Sequence, residues 1–198
     1  MGHSGVVKVL LEQEDVNPNQ GDTDHGWTPL LRAVRKGHSG VVKILLERED
    51  VNPNQADTES GRTPLSWAAE KGHEGVVKML LERKDVNPNQ AETESGRTPL
   101  SLAAGAGHEE VVKMLSERED VDPDQVDTVY GRRPLSWAAL NWHEGVVKVL
   151  LEQEGIDTDQ ADTIEGRSPL LWAAAERTAR AVDILLERWP SLEETMEL

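Results

Sequence analysis

A chain of 198 residues carries 21 basic and 37 acidic side chains, for a formal charge of −16, and no cysteine. That charge opposes nonspecific nucleic-acid binding and adhesion to anionic membranes, because phosphate contacts need clustered Lys and Arg, and the lack of thiols excludes disulfides and thiolate chemistry. No run of about 18 apolar residues spans a bilayer, and Met1 to Leu11 lacks the basic and long apolar regions of a signal peptide, so an intracellular, cytoplasmic location is expected.

The chain repeats itself. GHSGVVKVL begins at Gly2, GHSGVVKIL at Gly37, GHEGVVKML at Gly72, GHEEVVKML at Gly107 and WHEGVVKVL at Trp142, each start following the last by 35 residues without an insertion. A strict period of that size marks a solenoid whose units bury their apolar faces against their neighbours. The full copies are 22–56, 57–91, 92–126, 127–161 and 162–198, while residues 1–21 hold only the back half of an earlier copy. A half unit leaves Val6, Val7, Leu10 and Leu11 without a partner helix, so the chain is read as starting in mid-unit, as a fragment of something larger.

Within the copy 57–91 the order of elements is plainest. The joint DVNPNQADTESG is dense in Asn, Asp, Pro and Gly, which favour turns, and its ESG step before Arg62 is the tip of a projecting, hairpin-like finger. Thr63 is suited to cap a first helix with Pro64 at its first position, and the helix is expected over Leu65 to Lys71, ended by a left-handed Gly72. A second helix from His73 to about Arg83 carries Val76, Val77, Leu80 and Leu81 on one stripe. On its other face Glu74, Lys78 and Glu82 are spaced four apart, as local ion pairs require.

Later copies depart from this template. Unit 92–126 puts Gly105 inside a helix, costing about 1 kcal/mol against Ala, and Ser116 where other copies have Leu, forfeiting about 2 kcal/mol of burial; the array should be softest there. Unit 127–161 has Arg133 at the cap position and Trp142 in the glycine column, where a positive φ strains it, with Asn141 the candidate to take that conformation instead. At the end, Arg177 to Asp183 leaves the pattern while Ile184, Leu185 and Leu186 keep the core, as a terminal cap requires, and Trp189-Pro190 closes it.

TPLSWAA with GHEGVVKMLLE and DVN resembles the ankyrin repeat, whose pattern includes T-P-L-H-x-A in a unit of a β-turn and two helices. The likeness recurs five times and covers essentially the whole chain. It implies a mainly α solenoid of helix–turn–helix units joined by β-hairpin-like fingers, with a binding groove lined by finger tips and first helices, and a protein partner. Two departures stand out. The family unit is about 33 residues, and the two extra residues here fall in the joint after Val51-Asn52; the motif histidine is replaced by Leu31, Ser66, Ser101, Ser136 and Leu171. The long form DVNPNQADTESGRTPLSWAA is similar to the ankyrin arrays of fungal NACHT-type, NLR-like receptors, which implies the sensor part of a larger intracellular receptor.

His3, His38, His73, His108 and His143 recur once per unit. Stacked helices place equivalent side chains about 10 Å apart, too far to converge on a metal, so a structural role at the helix joint is expected and no metal site. Asp120, Asp122, Asp124 and Asp127 open like a calcium loop, but Gln125 and Gly131 stand where that loop needs Gly and Glu; turn formation is the better account, weak divalent binding the alternative. A residue required for catalysis should be singular, and almost every polar residue here has its copies. No catalytic residue and no cofactor is expected, and the protein is read as no enzyme.

The informative positions are those where the copies disagree. Lys8, Lys43, Lys78, Lys113 and Lys148 stay fixed, as do Glu12, Glu47, Glu82, Glu117 and Glu152, although both columns should be exposed. Two variable columns fall on the finger tips: Asp24, Glu59, Glu94, Val129 and Ile164, then His25, Ser60, Ser95, Tyr130 and Glu165. Two more fall at the end of the first helix: Arg35, Glu70, Gly105, Leu140 and Ala175, then Lys36, Lys71, Ala106, Asn141 and Glu176. The resemblance puts all four on the groove, so they read as a diversified recognition surface on a uniform scaffold, with drift at unconstrained positions as the alternative. Val129, Tyr130, Leu140 and Ile164 have the make-up of a hot spot, which places the anchor in the C-terminal half. After the finger glycine stand Trp27, Arg62, Arg97, Arg132 and Arg167; these arginines either clamp an acidic partner or form local ion pairs. Trp67, Trp137 and Trp172 either line the groove or fill space between units. The expected function is a protein–protein interaction module, monomeric as an isolated array. A structural spacer or self-assembly element, stacking through its uncapped N-terminal face, is the alternative.

Overall fold

The computed structural model describes residues 4–13, 15–153 and 156–175. Among these residues ten helices follow one another: α1 (Ser4–Leu11), α2 (Pro29–Arg35), α3 (Ser39–Leu46), α4 (Pro64–Glu70), α5 (Glu74–Leu81), α6 (Pro99–Ala106), α7 (Glu109–Ser116), α8 (Pro134–Leu140), α9 (Glu144–Leu151) and α10 (Pro169–Ala175). Each pair α2/α3 to α8/α9 packs on the next, and the core is one continuous strip along the array. The expected terminal cap, from Arg177 to Asp183 through Ile184, Leu185, Leu186 and Trp189-Pro190, lies outside the described residues, as do His3 and Glu176.

Local chemistry sets the helix ends. Thr28, Thr63 and Thr98 accept the N–H of Leu31 (3.2 Å), Ser66 (3.1 Å) and Ser101 (3.2 Å) through their Oγ1, satisfying a donor that the first turn leaves free. Arg133 makes no such bond yet keeps the extended cap conformation. In place of the family's histidine, the Ser66 hydroxyl meets Thr63 Oγ1 at 3.0 Å. Leu65, Ala68 and Ala69 of α4 and Val76, Val77 and Leu80 of α5 are buried, the small alanines letting the helices approach. The ion pairs expected between Glu74, Lys78 and Glu82 do not close, because fixing two long exposed side chains returns little in water.

Gly72 ends the first helix at φ +66°, with its N–H on Ala69 O (3.3 Å) and that of His73 on Ala68 O (3.0 Å). Unit 127–161 keeps the same two bonds, Trp142 N–H to Ala139 O (3.2 Å) and His143 N–H to Ala138 O (3.0 Å). Trp142 itself therefore takes the left-handed conformation at φ +62°, and Asn141 stays at φ −97°. This corrects the expectation for Asn141: a left-handed residue one place earlier would throw both bonds out of register. Its Nδ2 donates instead to Gly105 O and Trp137 O, both at 3.1 Å. Two residues of the histidine column serve the joint: His108 Nε2 bonds Glu70 O (2.9 Å) and His143 Nε2 bonds Gly105 O (3.1 Å) in the preceding unit.

The lengthened joint forms a ladder of side-chain amides. Asn52 Oδ1 accepts the Asn54 N–H (2.9 Å), and Asn54 then bridges to the next unit, donating to Asp85 O (2.6 Å) and accepting from Asn87 N–H (2.8 Å). Asn19 and Asn89 repeat the bridge. Arg83 and Arg118 reach back to cap the previous second helix, at Leu46 O (3.0 Å) and Leu81 O (2.9 Å), while their forks hold Asp85 and Asp120. These pairs raise the arginine pKa values and lower those of the aspartates. The acidic run 120–127 is spent on turns and pairs of this kind: Asp122 Oδ1 accepts the Asp124 N–H (3.0 Å).

Candidate protein-binding face

Every finger is a tight turn closed by a backbone bond of the same kind, Asp57 N–H to Arg62 O at 3.0 Å, with equivalents at 22/27, 92/97, 127/132 and 162/167. Asp57 organises it. Its Oδ1 accepts the N–H groups of Glu59 (3.1 Å), Ser60 (2.6 Å) and Gly61 (3.2 Å), and its Oδ2 accepts Trp67 Nε1 (2.8 Å). Asp127 holds Trp137 (2.9 Å) and Asp162 holds Trp172 (2.8 Å) in the same way. At Asp22 the His25 N–H, Arg32 and the Trp27 N–H together hold the carboxyl at about 2. Sequence reasoning missed this column; the signal was an acid at the first position of every unit, five residues before the finger's Trp or Arg.

Successive fingers are tied in a row. Thr58 N–H donates to His25 O (2.9 Å), Thr93 to Ser60 O (2.9 Å), Thr128 to Ser95 O (2.9 Å) and Thr163 to Tyr130 O (3.1 Å). Tips and helix ends meet: Arg62 binds Glu92 (2.6 Å) and, across its own unit, Glu70 (2.8 Å), and Tyr130 packs edge-on against Trp137 at 5.8 Å.

The candidate residues divide accordingly. Asp24, Glu59, Glu94, Lys36, Lys71, Ala106, Asn141 and Glu165 are exposed at tips or helix ends. His25 approaches Glu59 at 3.4 Å, Arg35 lies over the rings of Trp27 (4.2 Å) and Trp67 (5.0 Å), and Leu140 is half-buried. Val129, Tyr130 and Ile164 are exposed at 42%, 38% and 65%. Ser60 is buried on Asp57 and Ser95 bonds Glu92. The side chain of Ala175 lies outside the described part. Among the arginines, Arg62 and Arg132 are engaged with carboxylates inside the array, Arg132 with Glu165 (3.1 Å) and Asp162 (3.8 Å), and Arg167 pairs with Glu165 (3.3 Å). Burial works against the charge of Arg62, but Glu92 and Glu70 outweigh it and raise its pKa. Trp172 is buried and Trp67 and Trp137 are half-buried beneath this face.

Stacked helix–turn–helix units with tied, projecting fingers define a helical-repeat scaffold with one long continuous face. The sequence matches the family described as ankyrin repeats (3 copies) over residues 1–92, 50–127, 85–162 and 119–195, and the chain belongs to that family. Its repeats are generally protein–protein interaction modules and typically non-enzymatic. A search of curated proteins finds no match. No helix among the described residues is long and apolar enough to cross a membrane.

Proposed function

We propose that the array binds a protein partner in its concave groove, with the anchor on the finger tips and first helix of unit 127–161. The observation that carries this reading is the change of chemistry along one row of tips. Glu59 and Glu94 are acidic, whereas the next two positions present Val129 and Ile164, with Tyr130 beside them, as exposed apolar surface. Exposed aromatic and aliphatic side chains clustered on a rigid face are what a hot spot needs. The array is no enzyme on this reading, and acts inside the cell as the sensor part of a larger receptor of the NACHT type.

The test is the double substitution Tyr130→Ala and Leu140→Ala, assayed against a protein captured from the source cells by the intact array. Loss of about 100-fold in affinity is expected from a variant that still unfolds cooperatively; unmoved affinity rejects the anchor. A second reading, stacking of the array on another copy, draws on the exposure of Val6 (58%), Val9 (60%) and Leu10 (52%) on α1. It predicts an assembly that dissociates on dilution in sedimentation, where the groove reading predicts a monomer.

A further inference from the structure

Arg97 is the odd cation of its column. One unit earlier Arg62 sits between Glu92 (2.6 Å) and Glu70 (2.8 Å), and one unit later Arg132 faces Glu165 (3.1 Å) and Asp162 (3.8 Å). At Arg97 the helix-end place of Glu70 is Gly105. The place of Glu92 is Asp127, one methylene shorter and already bound to the Tyr130 N–H (2.6 Å) and Trp137 Nε1 (2.9 Å). Among the described residues Arg97 has no ion pair. Its one hydrogen bond runs from Nη2 to Ser101 O (3.0 Å), and its Nε is buried without an acceptor. Burial pushes its pKa down, against the direction at Arg62; Glu92, Asp127 and Glu70 lie near enough to oppose the fall and Arg62 adds to it, but none of these carboxylates pairs with Arg97. Gly105 is what lets the guanidinium lie there, since a Cβ would stand 2.5 Å from Nη2.

We propose that Arg97 is a carboxylate subsite of the groove, and that the partner supplies, with an Asp or Glu side chain, the anion that Glu70 supplies to Arg62 inside the array. This rests on the groove reading above. Arg97 stacks 4.2 Å over Trp137, the ring on which Tyr130 packs, so the acidic side chain sits next to the apolar one that Tyr130 receives. The charge of −16 favours a partner that is cationic as a whole; the carboxylate is a local, charge-assisted contact on a partly buried guanidinium.

Two measurements on the full chain decide it. Without any partner, Gly105→Glu restores the missing carboxylate in cis, and Gly105→Gln controls for helix propensity. The Glu variant should melt about 2 °C or more above the Gln variant at low salt, with the gap closing at high salt; an equal or lower midpoint overturns the subsite. A random peptide library displayed on phage is then panned against the chain. Enriched peptides should carry an acidic residue beside an apolar one, bind Arg97→Leu at least about tenfold more weakly, and recover in part on Arg97→Lys. Peptides that lose binding to the Tyr130→Ala, Leu140→Ala variant but show no acidic preference and bind Arg97→Leu equally would sink the subsite and leave the groove standing. Peptides indifferent to both variants would sink the groove reading itself.

Discussion

Between units 57–91 and 92–126, Asn89 gives its amide to Asp120 O and Arg118 caps the carbonyl of Leu81. Between 92–126 and 127–161 the same two places hold Asp124 and Gln153. Asp124 can only accept, which it does from the Asp157 N–H at 2.9 Å, and Gln153 turns back to Val149 of its own helix. The Oδ1 of Asp124 and the Oγ of Ser116 are buried without a hydrogen-bond partner, although Arg133 Nε of the next unit stands 3.8 Å from that Oδ1. The first joint is held by the Asn89 amide and the Arg118 cap; the second keeps the finger row, His143, Asn141 and an ion pair between Arg133 and Asp124 at 3.8 Å. That joint, without the Asn amide and the Arg cap, lies where the finger tips change from Glu59 and Glu94 to Val129 and Ile164. Residues shared between copies carry the joint contacts, and the change to Asp124 and Gln153 removes two of them.

The comparison sharpens under substitution. Asn89→Asp imposes the weak joint on the strong one, removing a donor and setting a carboxylate against the Asp120 carbonyl, and should cost about 2 kcal/mol in urea unfolding. Trp142→Gly relieves the only positive φ on a non-glycine among the described residues and should stabilise by about 1 kcal/mol. Asp124→Asn removes a buried carboxylate but also its pair with Arg133, and should change stability at neutral pH by less than about 1 kcal/mol. Burial raises the pKa of Asp124 above the ordinary 3.8, so the folded chain holds its proton at a pH where the unfolded chain has lost it. Stability from this group is therefore lost as pH rises through the folded value and regained as pH falls toward 3.8. Asp124→Asn should abolish that slope. The smallest effect is kinetic: amides of 105–116 should exchange ahead of their counterparts in 70–81, and uniform protection would contradict a weak joint there.

How much of this was legible follows from the reach of each contact. Thr63, Pro64 and Gly72 act within a turn of themselves, and the helices they bound lie within a few residues of expectation. Asn54 and Arg83 act on backbone 31 to 37 residues away, one period on or back, so a reading within one unit cannot see their partners. Trp142 shows local propensity overridden: Asn is the better left-handed residue, but the two joint bonds fix which position must turn. The columns proposed for the groove stand out on comparing copies, because variation sets them apart without any geometry, and the structure places their described residues at finger tips and first-helix ends. Which arginine of Arg62, Arg97 and Arg132 is left unpaired depended on Gly105, Glu92 and Asp127 together, and only the structure brings those into contact.

On the groove reading, the divergent columns of unit 127–161 form the recognition surface and the uniform outer helices do not. Hydrogen–deuterium exchange of the full chain, with and without a saturating groove-selected peptide, tests it most directly. Protection should appear over 127–142 and over the neighbouring finger 92–97, with no change in α5 and α7, which carry the fixed Lys78 and Lys113 and end at the fixed Glu82 and Glu117. Protection confined to those outer helices, or spread evenly over every unit, would contradict it.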